Sequence, residues 1–298
     1  MTPLPRSAWL AGRNGETHHL NACQHAAAAY AAIAVAGRDA RAFLQGQLTA
    51  DLDEMVPGHG QLAGWLDAKG RAIALLRVVP RPDDFLLMLP ASQAETVIRR
   101  LRLYVLRAAV AVAPAGPVSL LTGEAGRARL ESMGLLPEDT PWATALAPAG
   151  VALRPPGEPH WMLAGGAANG AGNAEGWELA EVRAGLPEVY SQTAAAFIPQ
   201  MLNLERLGAV SFTKGCYPGQ EIVARAHHLG QVKRRMRLFQ APGDPPPPGT
   251  SLAAERGGSV VRSARADDGC LLLAVVSEGQ EAAAFALNDG RALQAASA

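Results

Sequence analysis

The stretch KGCYPGQEIVAR, residues 214–225, brings together two residue types that this chain of 298 residues otherwise uses sparingly. It contains one of the three cysteines and one of the three lysines. Pro218 suits the first turn of a helix, and the pattern predicts the body of that helix over 220–228. Cys216 would then lie just before a helix N-terminus, with Lys214 nearby. Because a helix N-terminus and an ammonium group both stabilise a thiolate, the pattern predicts a reactive or ligating cysteine.

Other interpretations of Cys216 stay open from the residues alone. It could pack in a core, as we expect for Cys270 in the apolar run GCLLLAVV. It could be a nucleophile with a distant histidine, although His227 and His228 share the predicted helix and would point away from it. A separate zinc site could use ligand types near the N-terminus. These are His18, His19, Cys23 and His25.

The composition limits the class of protein. Apolar residues make up 49% and charged residues 18% of the chain, as in ordinary globular proteins, and the length suits two or three domains. Lys plus Arg and Asp plus Glu both total 27, so no overall field would attract nucleic acid or an anionic membrane. No apolar stretch reaches about 18 residues, which argues against a membrane span. Three cysteines without a CxxC pair indicate a reducing compartment, and we expect the cytoplasm.

Hydrophobic patterning predicts an α+β fold. Strands are predicted at 30–36 and within a β-β-α-β run between about 48 and 116, in which Ser92 is expected to cap the helix. The last strand of this run is predicted at 108–113, and VSLLTG is predicted as a separate strand. GVALRPP and HWMLAGG predict a hairpin. The Pro-rich segment 241–249 stands near the start of several short strands, which indicates a small C-terminal barrel.

Several segments resemble one known family. KGCYPGQE is similar to the signature K-G-C-[FY]-x-G-Q-E, FLQGQLTAD (43–51) to Q-G-Q-[LV]-T-x-D, and LDAKGR (66–71) to a D-x-K-G-[KR] turn. RAGLP (183–187) and FIPQMLNLERLGAVSFTKGCYPGQEIVAR (197–225) follow the order and spacing of the same family. On these residues, from about 30 to 235, the chain resembles the YgfZ-type folate-binding proteins, which are relatives of the glycine-cleavage T-protein.

The resemblance implies a three-part architecture like that of the T-protein. A discontinuous folate-binding α+β domain would comprise residues 1–47 and 117–228. A ferredoxin-like subdomain would be inserted at 48–116, and a small β-barrel would form residues 229–298. A folate would lie in the central channel between these parts.

The resemblance also implies which residues carry the chemistry of the KGC loop. Cys216 and Lys214 would be the catalytic pair, and Cys216 could serve as a transient ligand of a cluster, with no resident metal site. The residues expected to shape the loop and the turn that resembles D-x-K-G are Gly215, Tyr217, Gly219, Gln220, Glu221, Arg225, Asp67 and Lys69.

Three residues are implied in folate binding. Tyr30 and Trp177 align with aromatic positions of the family pocket and would hold the pterin by stacking. Arg183 stands where folate-transforming relatives often have Glu, and a guanidinium cannot accept hydrogen bonds from a pterin. Arg183 would instead contact the glutamate tail of the folate, or pair with Glu181 or Glu188. This departure weakens the case for a preserved folate-transferase mechanism.

Three functions follow as hypotheses. The first is a tetrahydrofolate-binding factor that supports assembly or repair of iron–sulfur proteins and thereby tRNA modification. Its partners would be iron–sulfur assembly or client proteins, without direct contact with nucleic acid or membrane. Because cluster sites need about four ligands, an iron–sulfur cluster at one cysteine would be transient and shared. The second is a folate-dependent aminomethyltransferase or demethylase, and the third is a non-catalytic folate-binding module. Whether the chain is an enzyme stays open.

Overall fold

The structure is a computed structural model that describes residues 30–165, 174–228, 230, 232–253, 258–281 and 285–296. The α-helices in these ranges are α1 (Ala40–Gln45), α2 (Ala91–Tyr104), α3 (Gly123–Ser132), α4 (Ala174–Arg183) and α5 (Gln220–His228). The strands are β1 (Tyr30–Ala36), β2 (Gln61–Leu66), β3 (Ala72–Pro80), β4 (Asp84–Pro90), β5 (Ala111–Thr122), β6 (Thr144–Ala147), β7 (Gly150–Leu153), β8 (His160–Ala164), β9 (Arg234–Ala241), β10 (Leu252–Ala253), β11 (Ser259–Ala266), β12 (Gly269–Ser277), β13 (Ala286–Leu287) and β14 (Gln294–Ala295).

Eight strands form one antiparallel sheet in the order β2-β3-β4-β1-β5-β8-β7-β6. The hairpin predicted from GVALRPP and HWMLAGG is confirmed as β7 and β8. The prediction of two separate strands at 108–113 and VSLLTG is wrong, because β5 runs unbroken from Ala111 to Thr122. A register shift opposite Ala32 and Ile33 leaves Ala115 unpaired, and this bulge keeps β5 continuous. The predicted domain boundary at 116/117 falls inside β5, and the domain limits stay predictions.

Helix α2 starts earlier than the pattern suggests. It begins at Ala91, directly after Pro90 ends β4, so the prediction that Ser92 caps it is wrong. Pro90 has the φ of −54° that lets a strand turn straight into a helix. Ser92 lies in the first turn instead, where its hydroxyl and its carbonyl accept bonds from the Ser191 hydroxyl.

The C-terminal part has its own sheet. Strands β11, β12, β9 and β14 are hydrogen-bonded in that order, and β10 pairs with β13. Cys270 on β12 is fully buried in an apolar cluster with Phe239 and Phe285, which confirms that it is a core residue. Its sulfur donates to the carbonyl of Ala241.

One apolar cluster places the KGC loop against the rest of the fold. It joins Leu62 and Leu75 of β2 and β3 to Phe197 and Tyr217 of the long connection, and to Met236 of β9. The segment 197–225 is thereby clamped between the large sheet and the C-terminal sheet. In the part of the chain that the structure describes, no helix has the length and apolar character that crossing a membrane requires.

Candidate functional site

Lys214 ties the KGC loop to the segment FLQGQLTAD. Its Nζ donates to Gln45 Oε1 at 3.2 Å, to the carbonyl of Leu48 at 2.9 Å and to the carbonyl of Ala50 at 2.6 Å. An ammonium group has three N–H donors, so these three bonds satisfy it completely. The scarce lysine is therefore the anchor between two motifs that are more than 160 residues apart.

Burial changes the acidity of this anchor. The Lys214 side chain is almost enclosed, and this burial lowers the pKa of its ammonium to about 8, although Asp51 and Asp53 oppose the change. Its Nζ also lies 5.6 Å from the centre of the Tyr217 ring, within cation–π range. Burial in turn raises the pKa of Tyr217 to about 12.

The FLQGQLTAD segment is itself fixed by side-chain bonds. Gln45 Nε2 donates to Asp51 at 2.8 Å, and this bond lowers the pKa of the Asp51 carboxyl. Thr49 donates its hydroxyl to the carbonyl of Ala209 and accepts the N–H of Gly64. The carbonyl of Thr49 accepts the N–H of Ser211. These bonds hold both ends of the motif against the connection that leads into the KGC loop.

The LDAKGR turn packs against the other side of the loop. Asp67 accepts the N–H groups of Lys69 and Arg71, which closes the turn. Gly70 and Gly219 meet backbone to backbone, and both have a φ in the left-handed region. A Cβ on Gly219 would lie 2.5 Å from the carbonyl oxygen of Asp67 and 2.7 Å from Cα of Gly70. Only glycine permits this approach.

The FIPQMLN segment supports the helix that follows the loop. The pattern's helix over 220–228 is confirmed as α5. Gln200 donates its amide to the carbonyl of Val223 at 2.7 Å, and both residues are buried. Asn203 has a φ of 57° and donates its amide to the carbonyl of Met236 at 2.9 Å. One short segment thus connects α5 to the C-terminal sheet.

Cys216 lies exposed among these fixed elements, four positions before α5 begins. It borders a surface cleft of about 500 Å³. Ala68 of the LDAKGR turn contributes one wall, and Pro218, Gly219 and Ile222 contribute the other. A thiol in this position is accessible to a partner's metal or sulfur, while the backbone around it is held by the bonds described above.

The two residues of the predicted catalytic pair lie in different environments. The thiol of Cys216 faces the surface, whereas the Lys214 ammonium donates all three protons to the FLQGQLTAD side. The loop-shaping residues have a similar division: Tyr217 is buried, whereas Lys69, Gly215, Glu221 and Arg225 are exposed. The catalytic assignment stays a prediction. His227, next to this site, stacks on Phe212 with ring centres 3.9 Å apart.

A second cluster surrounds the residues predicted to bind folate. Tyr30 of β1 and Trp177 of α4 are buried, and their ring centres are 5.1 Å apart. Arg77 lies over both rings, at 5.2 and 5.7 Å, and Arg262 lies over Trp177 at 5.1 Å. The arginines therefore stack on the aromatic rings that would hold a pterin.

Carboxylates pair with these arginines. Glu181 contacts Arg77 at 2.5 Å and Arg262 at 2.6 Å, and Glu188 accepts bonds from Arg77 at 2.7 Å and from the Tyr30 hydroxyl at 2.6 Å. Burial alone would raise the pKa of Glu181, but the charges of the two arginines outweigh it and hold that pKa well below its usual range. Burial raises the pKa of Tyr30.

Arg183 lies outside this cluster. Its half-exposed side chain contacts Glu158 at 3.5 Å on the surface. The expectation that it pairs with Glu181 or Glu188 is wrong, because these two carboxylates already bind Arg77 and Arg262. Since α4 ends at Arg183 and its buried face carries Glu181, position 183 points to a different side.

Sequence reasoning missed Arg77 and Arg262 as members of this cluster. Arg77 stands in the apolar strand AIALLRVVP, and Arg262 stands in SVVRSARA directly after two buried valines. An arginine at a core-facing strand position needs a buried partner, since an unpaired buried charge is costly. That pattern is the signal from which the cluster could have been inferred.

Folate is the small molecule that the resemblance implies, and the donors present fit its chemistry. Trp177 Nε1 and Arg77 Nε are buried donors without a hydrogen-bond partner in the described ranges. A pterin and its glutamate tail carry carbonyl and carboxylate acceptors that would pair with such donors. Entry of a pterin beside Tyr30 or Trp177 requires an arginine to move off the ring, since both rings are enclosed.

No group of three or more possible metal ligands occurs among the residues that the structure describes. The zinc alternative rested on His18, His19, Cys23 and His25, which lie outside the described residues. Within those ranges Cys216 belongs to no such group, whereas cluster sites usually have about four ligands.

No model of a protein family matches the chain. Individual proteins do. The tRNA-modifying protein YgfZ of Klebsiella pneumoniae (strain 342) is 32% identical over 269 residues, which cover 83% of this chain and 82% of that protein. The tRNA-modifying protein YgfZ of Colwellia psychrerythraea is 25% identical over 269 residues, with 83% of each chain covered.

The fold is similar to that of a solved enzyme. The glycine cleavage system aminomethyltransferase T from Bartonella henselae superposes with a TM-score of 0.71, over 91% of this chain and 83% of that one, at 16% identity. The mixed α/β architecture with its large sheet is thus that of the aminomethyltransferase T fold. The similarity to relatives over four fifths of the length shows that this chain belongs to the YgfZ family of tRNA-modifying proteins.

Proposed function

We propose that this chain is a folate-binding factor that supports the assembly or repair of iron–sulfur proteins and thereby tRNA modification. The observation that carries the proposal is the exposed Cys216 on a cleft whose backbone is immobilised from three sides. A thiol that only filled space would be buried, as Cys270 is. The relatives are named tRNA-modifying proteins, which supports tRNA modification as the outcome of the proposed activity.

Cys216 would act as a thiolate in one of two ways. As a ligand, it donates an electron pair to an iron of a cluster whose other ligands belong to the partner, without oxidation or reduction. As an exchanger, it attacks a disulfide of the client, forms a mixed disulfide, and releases the client's other sulfur as a thiolate. A small thiol of the glutathione class would then attack the mixed disulfide and release Cys216.

Tetrahydrofolate or a derivative would bind at the buried cluster. Tyr30 and Trp177 would offer their rings, and Arg77 Nε and Trp177 Nε1 would donate to its acceptors. Arg183, at the surface end of α4, would contact the glutamate tail. When bound, the folate supplies one-carbon chemistry, and the chain's own residues orient it and keep water from the ring.

The three-part organisation belongs to this proposal. The described residues of 1–47 and 117–228 would form the folate-binding part, 48–116 a ferredoxin-like insertion, and the described residues of 229–298 a small barrel; residues 1–29 lie outside the described part of the chain. The superposition with the aminomethyltransferase T fold, over 91% of this chain, supports a shared overall fold, and the limits of the three parts are our proposal.

The test uses a bacterial strain that lacks its own relative of this protein. The strain receives the wild type, Cys216→Ser or, as a matched control, Cys270→Ser. The readout is the methylthio modification of tRNA, made by a cluster-dependent enzyme, under oxidative stress. We expect wild type and Cys270→Ser to restore the modification and Cys216→Ser to fail. Full restoration by Cys216→Ser at equal protein level would contradict the proposal.

An aminomethyltransferase or demethylase is the second candidate, and the fold similarity favours it. It predicts folate-dependent one-carbon transfer in the presence of the other glycine-cleavage proteins. Such turnover, unaffected by Cys216→Ser, would support this candidate over the first. A third outcome, folate binding without turnover and without any phenotype of Cys216→Ser, would identify a binding module.

A further inference from the structure

We propose that the end of α2 and the loop after it form a docking surface for a protein that presents an acidic segment with large apolar side chains. This surface is called the α2 knob. It consists of Arg38, Arg99, Leu103, Tyr104, Leu106 and Arg107. None of these residues contributes to the Cys216 cleft or to the buried arginine cluster, so the inference goes beyond the proposed function.

The apolar part of the α2 knob is unusually exposed. Leu103, Tyr104 and Leu106 are 71%, 48% and 86% exposed. Half of the large exposed hydrophobic residues within the described ranges thus fall in four consecutive positions, the others being Val56, Leu146 and Ile222. The core-facing side of α2, around Val97 and Leu101, is buried separately. Clustered exposed apolar side chains of this kind mark interaction sites.

The charged residues of the α2 knob are all positive. Between Glu95 and Glu124 the sequence contains four arginines and no acidic residue. Arg102 is held by the carbonyl of Val112, and Arg100 lies over the ring of Trp65. Arg99 and Arg107 flank the exposed leucines, so carboxylates would complement this surface.

The neighbouring corner adds one more arginine. The Arg38 side chain is 83% exposed and forms an ion pair with Asp39 at 3.4 Å. The Asp39 carboxylate also accepts the N–H of Ala109 at 2.7 Å. Asp39 therefore serves the backbone of the loop that follows the knob, and the knob as a whole stays positive.

The loop that carries Leu106 and Arg107 is tightly held. Gly37 has a φ of 121°, and a Cβ there would lie 2.1 Å from the carbonyl oxygen of Ala109. Together with the bond from Ala109 to Asp39, this contact fixes the loop against the turn between β1 and α1. A preorganised surface loses little conformational entropy on binding, which favours recognition by a few exposed side chains.

Other occupants fit the α2 knob less well. A second copy would bring the same positive charge to the interface and repel. Leucine does not stack on bases, and with Arg100 and Arg102 already engaged only three arginines remain for RNA phosphates. Helices that lie on membranes bury a long apolar face, but the apolar face of α2 is used by the core. A short acidic protein segment matches the small area of the α2 knob and complements its positive charge.

The test measures binding of a fluorescein-labelled peptide of twelve residues, in which leucine and phenylalanine alternate with pairs of glutamate. Two double variants probe the knob: Leu103→Ser with Leu106→Ser, and Arg99→Glu with Arg107→Glu. The matched control combines Leu146→Ser with Arg206→Glu, which changes an exposed leucine and an exposed arginine elsewhere. Thermal unfolding of each variant confirms that the fold is intact.

We expect the wild type and the control to bind the peptide equally, with an affinity that falls as salt is raised. Both knob variants should bind at least tenfold more weakly, and Cys216→Ser should bind like wild type. Absence of binding at 1 mM peptide, or equal binding by the knob variants, overturns the proposal. So does preferential binding of a tRNA transcript, or of vesicles of equal phosphatidylglycerol and phosphatidylcholine, with the same dependence on the knob.

Discussion

Lys214 and Arg77 are both buried cations, but they are held by opposite kinds of partner. Lys214 donates to two backbone carbonyls and a side-chain amide, and burial lowers its pKa to about 8. Arg77 is paired with the carboxylates of Glu181 and Glu188, whose charges outweigh burial and raise its pKa. Neutral acceptors satisfy the hydrogen bonds of a buried cation but leave its charge unbalanced. Carboxylates satisfy the hydrogen bonds and also balance the charge.

This difference implies different structural roles for the two regions. The Lys214 region is a clamp that holds a surface loop in one shape, and its charge is a cost that the fold tolerates. The Arg77 region is a charge-balanced interior that joins β1, β3, α4 and β11. Four variants or conditions test the contrast.

The largest effect is expected from Arg77→Met. This change leaves the buried carboxylates of Glu181 and Glu188 without their shared partner, and we expect a loss of about 3–5 kcal/mol in the free energy of unfolding. Urea unfolding measures it. The matched control is Arg183→Met, which removes a surface contact to Glu158 and should cost less than about 1 kcal/mol. Equal costs for the two variants would contradict the role given to the buried cluster.

Lys214→Met should have the next largest effect. Three acceptors lose the bond from Lys214, although Gln45 Oε1 keeps the N–H of Leu52, and we expect a loss of about 2 kcal/mol, since removing the buried charge offsets part of the cost. The same urea experiment measures it, with the exposed Lys69→Met as control, for which we expect a change below about 0.5 kcal/mol. A Lys214→Met variant as stable as wild type would show that the clamp is dispensable.

The pH dependence of the Lys214 clamp should be a smaller effect with a definite sign. The ammonium has a pKa of about 8 in the folded protein and a usual value of 10.5 when unfolded. Between these values the unfolded chain binds more protons, so the wild type should gain stability over Lys214→Met as pH rises from about 8 to 10.5. Unfolding free energies of both proteins at several pH values measure the difference. A difference that stays flat or shrinks over this window would contradict the assignment.

Cys216→Ser should have the smallest effect on stability. The side chain is exposed and makes none of the bonds that fix the loop, so we expect a change within about 0.5 kcal/mol. Thermal unfolding measures it. The result matters because the same variant should abolish the proposed activity. A large loss of stability would make Cys216 a structural residue and would remove the basis for the functional test.

Much of the local structure was predictable from particular residues. The strand at 30–36 and the helix at 220–228 follow from the spacing of apolar residues and from the Pro and Gly residues that border such elements, and both are confirmed. The family motifs predicted which segments matter, but not how they touch. That Lys214 reaches Leu48 and Ala50, or that Gly219 meets Gly70, depends on contacts between residues far apart in the chain, which short-range patterns do not encode.

The failures have physical reasons as well. The residues between the two predicted strands include Pro114, Gly116 and Pro117, which usually interrupt strands. Pairing with β1, which continues past this stretch with a bulge at Ala115, overrides them, and β8 pairs with β5 from Val118 onward. Arg77 was missed because it looks like an isolated charge in an apolar strand, and Arg262 because it shares its strand with the exposed Arg265; the partners of both lie on other elements.

The contact between Gly70 and Gly219 makes the shapes of two segments that are distant in the chain depend on each other. Gly219 lacks a side chain so that the backbone of Asp67 and Gly70 fits, and a Cβ on Gly70 would lie 2.9 Å from Cβ of Ile222 and 3.2 Å from the carbonyl oxygen of Gly219, so we expect neither loop to keep its shape if it is transplanted alone into another scaffold. A designer who wishes to borrow the cysteine loop must therefore move the Asp67–Arg71 turn with it. Homologous chains should likewise lose or retain the two glycines together.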